Sequence, residues 1–165
     1  MKSKARLLGH PIHPMLVVMP LGLFIAAAVF DGLYYWRGTT TFAAISYYNI
    51  AAGIVGGLLA AVFGLIDWLA IPAGTRAKRI GLFHGAINVT VVMLFAAIWI
   101  ARTALPDYAP TTFTLGIEAS AIALALVAGW LGGELVDRLG VGVDEGANLN
   151  APNSLSGRPA SPGRA

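Results

Sequence analysis

Residues 11–30 read PIHPMLVVMPLGLFIAAAVF, twenty consecutive positions without an aspartate, glutamate, lysine or arginine. A helix rises about 1.5 Å per residue, so about 20 apolar residues match a hydrocarbon layer about 30 Å thick. The apolar character continues past Asp31 to Trp36. Three more runs repeat the pattern. Residues 38–66 and 80–101 carry no charge, and residues 108–136 carry only Glu118 and Glu134. Across all 165 residues, 57% are hydrophobic and 12% charged, with a mean hydropathy of +0.73. Soluble domains carry about 25% charged residues. The expected fold is therefore all-α: a four-helix transmembrane bundle with helices at about 12–36, 42–71, 79–102 and 111–137. These lie in one membrane domain, residues 1–143. Hydrophobicity falls after Gly140, and residues 144–165, rich in Gly, Ala, Pro, Ser and Asn, are expected to form a disordered cytoplasmic tail.

Lys2, Lys4 and Arg6 stand before the first run as they would in a signal peptide. His13, the internal Pro20 and the continuation through Asp31 to an aromatic end instead favour a retained helix. With no cysteine, disulfides, thiolate metal sites and cysteine redox chemistry are excluded. The net charge of +3 reflects membrane topology and not a nucleic-acid partner; the partner expected throughout is the lipid bilayer. Positive residues alternate by loop. Lys2, Lys4 and Arg6 precede the first helix, Arg37 follows it, and Arg76, Lys78 and Arg79 fill the second loop. Arg102, set against Asp107, lies in the third, and Arg138, Arg158 and Arg164 in the tail. The positive-inside rule then puts both termini in the cytoplasm of a multi-pass protein of the bacterial inner (plasma) membrane. Tyr34, Tyr35, Trp36, Tyr47 and Tyr48 are expected as an aromatic belt at the outer boundary.

Prolines and small residues shape the helices. Pro14 suits a first helical turn with His13 near the cap, Pro20 bends the helix, and Thr39 to Thr41 can cap the second. Gly53, Gly57 and Ala61, and beside them Gly56, Ala60 and Gly64, give helix 2 close-packing stripes. Ala121, Ala125, Ala128 and Gly132 do the same for helix 4.

Ionisable groups inside a bilayer are costly and mark function by default. They sort into two layers. His13, Asp67, His84, Glu134 and Asp137 fall at the cytoplasmic ends of the helices; Asp31, Asn49 and Glu118 fall near the outer side. His13 and Asp31 are eighteen residues apart, about five turns, and so share a face. The Asp67 stripe runs through Gly64, Ala60 and Gly56, which points Asp67 into the bundle. Asn88 shares the His84 face. Glu118 lies on the small-residue stripe of helix 4 and is the inward glutamate; Glu134, sixteen residues on, faces the other way. Structural roles compete with each of these: capping or a hydrogen bond between helices for His13 and His84, surface pairing with Arg37 for Asp31, and pairing with the second-loop cations for Asp67.

Three histidines with carboxylates and no thiol suit a borderline transition metal. His10, His13, Asp67 and His84 form the candidate metal set. Facing histidines in a bundle can also hold haem b from both sides, with His13 and His84 as the axial pair and Met15 or Met19 as alternative ligands. These residues suggest a small redox or metal- or haem-associated membrane protein, with a redox partner or a second copy of the chain as its partner. One alternative is a proton or cation transporter or channel component whose outer site is Asp31 and Glu118. The other is a non-catalytic accessory or scaffold protein. No Gly-x-Ser-x-Gly elbow, phosphate loop or His-Glu-x-x-His motif is present, and the balance is against an enzyme.

The opening His10-Pro11-Ile12-His13-Pro14, continuing to Pro20-Leu21-Gly22, resembles a bacterial four-span membrane family, domain of unknown function 2231. So do Gly64-Leu65-Ile66-Asp67-Trp68, His84-Gly85, Gly132-Gly133-Glu134-Leu135-Val136 and Gly140-Val141-Gly142-Val143. The likeness covers residues 9–143. Asp137 stands where the family typically has an aromatic residue. The resemblance implies a fold and a membrane location without a reaction. Fusion of some relatives to Rieske-type iron–sulfur domains tilts the expectation toward redox work.

Overall fold

A computed structural model describes residues 1–161. A two-residue antiparallel hairpin, β1 (Arg6–Leu7) with β2 (His10–Pro11), leads into α1 (Ile12–Leu16) and α2 (Val18–Arg37). Then come α3 (Thr40–Ala70), α4 (Arg76–Arg102) and α5 (Thr112–Gly133), the last extended by a π-turn over Glu134–Arg138. Four helical segments are long and apolar enough to cross a membrane: Ile12–Arg37, Thr40–Ala70, Arg76–Arg102 and Pro106–Arg138. The shortest has 26 residues, a rise of about 39 Å, against a hydrocarbon core of about 30 Å.

The expected all-α four-helix bundle is observed, and its helix bounds differ from the sequence reading by a few residues. The first span is broken at Val17 rather than continuous. Pro20 has no N–H to donate to the Leu16 carbonyl four residues back, so the ladder opens there. Pro11, not His13, is the N-cap of α1. Thr39 stands at the N-cap of α3 without a side-chain cap bond. Thr75 does cap α4 through Lys78 N–H, and Thr111 and Thr114 form a reciprocal capping box on α5. Gly38 ends α2 in the left-handed region at φ 68°, where a side chain would be strained.

α3 packs between α2 and α4, while α5 packs on α4 and touches α2, closing the ring. At mid-height the Phe24 and Phe95 rings stack at 3.9 Å and 2°. Ala27, Ile50, Val91, Ile98 and Ala121 surround them. Gly53 makes room, since a Cβ there would lie 2.5 Å from the Phe24 ring. Outward, Val29, Leu58, Val62, Met93, Leu126 and Trp130 are exposed on all sides. An apolar surface this extensive is unsuited to water and suited to lipid.

Both ends of the chain meet at one end of the bundle. Arg6 pairs with Asp144 at 2.7 Å, Gly142 N–H donates to the Met1 carbonyl, and Ser154 Oγ lies 3.4 Å from His10 Nε2. In the segment where a disordered tail was expected, Asp144 and Ser154 lie against the N-terminal hairpin, and Asn148 donates to the Ala160 carbonyl. Residues 162–165, with Arg164, lie outside the described residues. Tyr47 also departs from the aromatic belt. It is buried, and its ring stacks on Tyr108 at 4.1 Å and on Trp99 at 5.6 Å.

Candidate functional site

The two polar layers are present, separated by the apolar layer around Phe24 and Phe95. In the layer beside the chain ends, His13 from α1 and His84 from α4 face one another, with ring centroids 6.2 Å apart and planes at 85°. Each ring is held through Nδ1. His13 Nδ1 lies 2.9 Å from the Ala60 carbonyl oxygen, and His84 Nδ1 lies 2.8 Å from that of Ala128. A carbonyl only accepts, so in both rings Nδ1 carries the proton and donates it, leaving each Nε2 as an unprotonated acceptor. Asn88 Nδ2 donates to the His84 carbonyl at 2.8 Å and sits 3.3 Å from His84 Nε2. Glycines let the helices come close enough. A Cβ on Gly64 would lie 2.9 Å from His13 Cε1, and one on Gly132 would lie 3.2 Å from His84 Cε1.

The other two residues of the candidate metal set go elsewhere. Asp67, on the last turn of α3, accepts from Ser3 Oγ at 2.7 and 2.8 Å and from Lys4 N–H at 2.8 Å. It anchors the N-terminal segment ahead of β1 instead of pointing into the bundle. The small-residue stripe that suggested otherwise ends one turn earlier, at Gly64. His10 is exposed in β2. Among the described residues no group of three or more His, Cys, Asp or Glu side chains is placed to hold a metal ion; what remains together is the pair His13 and His84. Around it the chain end is clasped. Arg6 also donates to the Gly9 carbonyl, and the Arg6 guanidinium holds the Asp144 carboxyl below its ordinary range. Glu134 pairs with Arg76 at 2.6 Å. Lys78 lies 3.9 Å over the Trp68 ring and donates to the Trp68 carbonyl.

The opposite layer holds a residue that sequence reasoning assigned to a loop. Arg102 is 0% exposed. It reaches Asp31 in two bonds of 2.7 and 3.0 Å, and also donates to Ser46 Oγ, the Ala43 carbonyl and the Tyr108 carbonyl. All five guanidinium donors are thereby used. Neither Asp107 partners Arg102 nor Arg37 partners Asp31; the Arg37 guanidinium lies instead 4.3 Å over the Trp36 ring. Glu118 is buried beside Asp31, on the inward stripe of α5. The available signal was depth. Asp31 and Arg102 both lie toward the C-terminal ends of α2 and α4, spans that run in the same direction, and a carboxylate inside lipid requires a cation at its own level.

The family described as "Predicted membrane protein (DUF2231)" matches residues 9–145. A protein of Rhizobium meliloti (strain 1021) named glycerol-3-phosphate acyltransferase is 36% identical over 104 residues, covering 62% of this chain and 49% of that protein. The chain thus spans about half the length of that relative. No solved structure matches.

Proposed function

From the premise that the chain belongs to the DUF2231 family of predicted membrane proteins, a multi-pass class without an assigned reaction, we propose that it is a small redox or metal-associated membrane protein with His13 and His84 as the ligand pair. The observation that carries this reading is the tethering of both imidazoles. Each Nδ1–H is bound to a backbone carbonyl on a neighbouring helix, the arrangement that fixes tautomer and ring orientation in metal-ligating histidines. Separation supports it as well. Two metal–nitrogen bonds of about 2.0–2.1 Å, with half a ring beyond each, put the centroids of a two-imidazole complex roughly 6 Å apart, and here they are 6.2 Å apart. With two ligands, His13 and His84 would hold haem b or a metal that completes its shell from outside the chain.

Orientation belongs to the same proposal. Lys2, Lys4, Arg6, Arg76, Lys78, Arg79 and Arg138 lie at the histidine end. At the other end the charge of Arg102 is matched by Asp31, leaving Arg37. The positive-inside rule then assigns the histidine end and both termini to the cytoplasm of an inner (plasma) membrane. Residues 1–143 form the membrane domain, and residues from 144 onward a cytoplasmic extension. A redox role requires an electron-exchange partner at that face. The apolar layer between the polar layers favours a ligand site over conduction through one bundle. Both histidines bind carbonyls rather than an orienting carboxylate, which does not favour the acyl transfer named for the relative.

The test is the protein purified in detergent, with its metal content and visible absorption measured before and after addition of haem or Cu(II). Bound haem or about one metal per chain, lost in both His13→Ala and His84→Ala variants that keep their helical circular dichroism, supports the reading. A colourless, metal-free protein that takes up neither overturns it.

A further inference from the structure

At the end of the bundle away from the histidines, two buried carboxyls share one guanidinium. Asp31 is 1% exposed and Glu118 is 3% exposed. Asp31 uses both oxygens on Arg102. Arg102 spends its remaining donors on Ser46, Ala43 and Tyr108, so none is left for Glu118. Among the described residues Glu118 Oε1 has no partner, and the Glu118 side chain lies beside that of Asp31. Two ionised carboxylates are both acceptors and repel when buried side by side, which a proton on one of them relieves. An uncompensated carboxylate in a membrane interior is also strongly disfavoured.

We infer that Glu118 carries a proton at neutral pH and donates it to Asp31, so that α2, α3, α4 and α5 enclose one carboxylate, one guanidinium and one carboxylic acid with no net charge. The ligand of this site is the proton, and Arg102 sets how many protons it holds. With one cation, one of two carboxyls ionises; with the cation gone, both stay protonated. The groups around it are Ser46 from α3 and the stacked rings of Tyr47 and Tyr108, none of which brings a second positive charge. The other six carboxyls, Asp67, Asp107, Asp137, Asp144, Glu134 and Glu145, are exposed or half-buried at the polar ends of the chain.

Infrared spectroscopy of the full chain reads this directly. In dodecyl maltoside, a detergent with no carbonyl, a protonated carboxyl gives a C=O band above the amide region that shifts in D₂O. The unmodified protein at pH 7 should show one such band. Glu118→Gln should remove it. Asp31→Asn should remove it too, because the single remaining carboxyl then ionises against Arg102. No acid band in the unmodified chain, or a band that survives either substitution, overturns the inference. The result does not depend on whether the histidine pair binds anything.

Discussion

Replacing Arg102 with methionine removes the guanidinium and keeps most of the side-chain volume. The structure supplies the magnitude. Five hydrogen bonds disappear, and Asp31, at 1% exposure, loses the cation bound to it. Removing one partner of a buried ion pair costs about 3–5 kcal/mol. Asp31 can escape by taking up a proton, which leaves chiefly the lost hydrogen bonds. Polar side-chain bonds within membranes average about 0.6 kcal/mol each, so five give roughly 3 kcal/mol. The two routes meet near 3 kcal/mol. Replacing both partners, Asp31→Leu with Arg102→Met, leaves no stranded charge, and swaps of buried ion pairs for apolar residues are often neutral or stabilising. The double variant should therefore be more stable than Arg102→Met alone, with a coupling of about 2 kcal/mol or more. Unfolding by sodium dodecyl sulfate in mixed micelles, followed by circular dichroism, measures all four proteins. A loss below about 1 kcal/mol for Arg102→Met, or two single-variant losses that simply add, would refute the claim that this pair locks α2 to α4.

Three further outcomes are expected. Gly64→Ala should destabilise the bundle by about 1–3 kcal/mol, the usual range for overpacking, because the new Cβ meets a His13 ring whose Nδ1 is tied to Ala60. Gly129→Ala, with nothing within 4 Å of its Cβ, should be neutral or gain up to about 1 kcal/mol, as the same unfolding titration will show. At the chain ends, Arg6 lowers the Asp144 carboxyl, so this contact stabilises the clasp above the ordinary aspartate value of about 3.9 and is lost as pH falls through the lowered folded value. Hydrogen exchange of residues 1–11 should stay slow down to about pH 4 and quicken below it. Asp144→Asn should exchange fast at every pH, and equal protection in the two proteins would count against the clasp.

Which segments cross the bilayer, and how many, was determined by sequence alone. Transfer of a helix into hydrocarbon is nearly a sum over its own residues, so residues 11–30 and the three later runs declare themselves without knowledge of their neighbours. Depth was legible for the same reason: His13 and His84 at one level, and Asp31 and Glu118 at the other, follow from counting residues along spans that alternate in direction. The break before Pro20 was legible because it is a local loss of one donor.

Partnership was not legible, because it depends on how each helix is rotated and how closely it approaches the next. Asp31 and Arg102 are 71 positions apart, and nothing local distinguishes an arginine that ends a helix in water from one that turns inward. Asp67 lies on a small-residue stripe that reads as inward, but it stands on the last turn of its helix, where the N-terminal segment folds across and offers donors. His13 and His84 became a pair only when Gly64 and Gly132 let rings and backbones approach, and only then did the Ala60 and Ala128 carbonyls claim Nδ1. Hydropathy adds along one chain, whereas hydrogen bonding and ion pairing join different helices, so tertiary structure alone decided which polar groups meet.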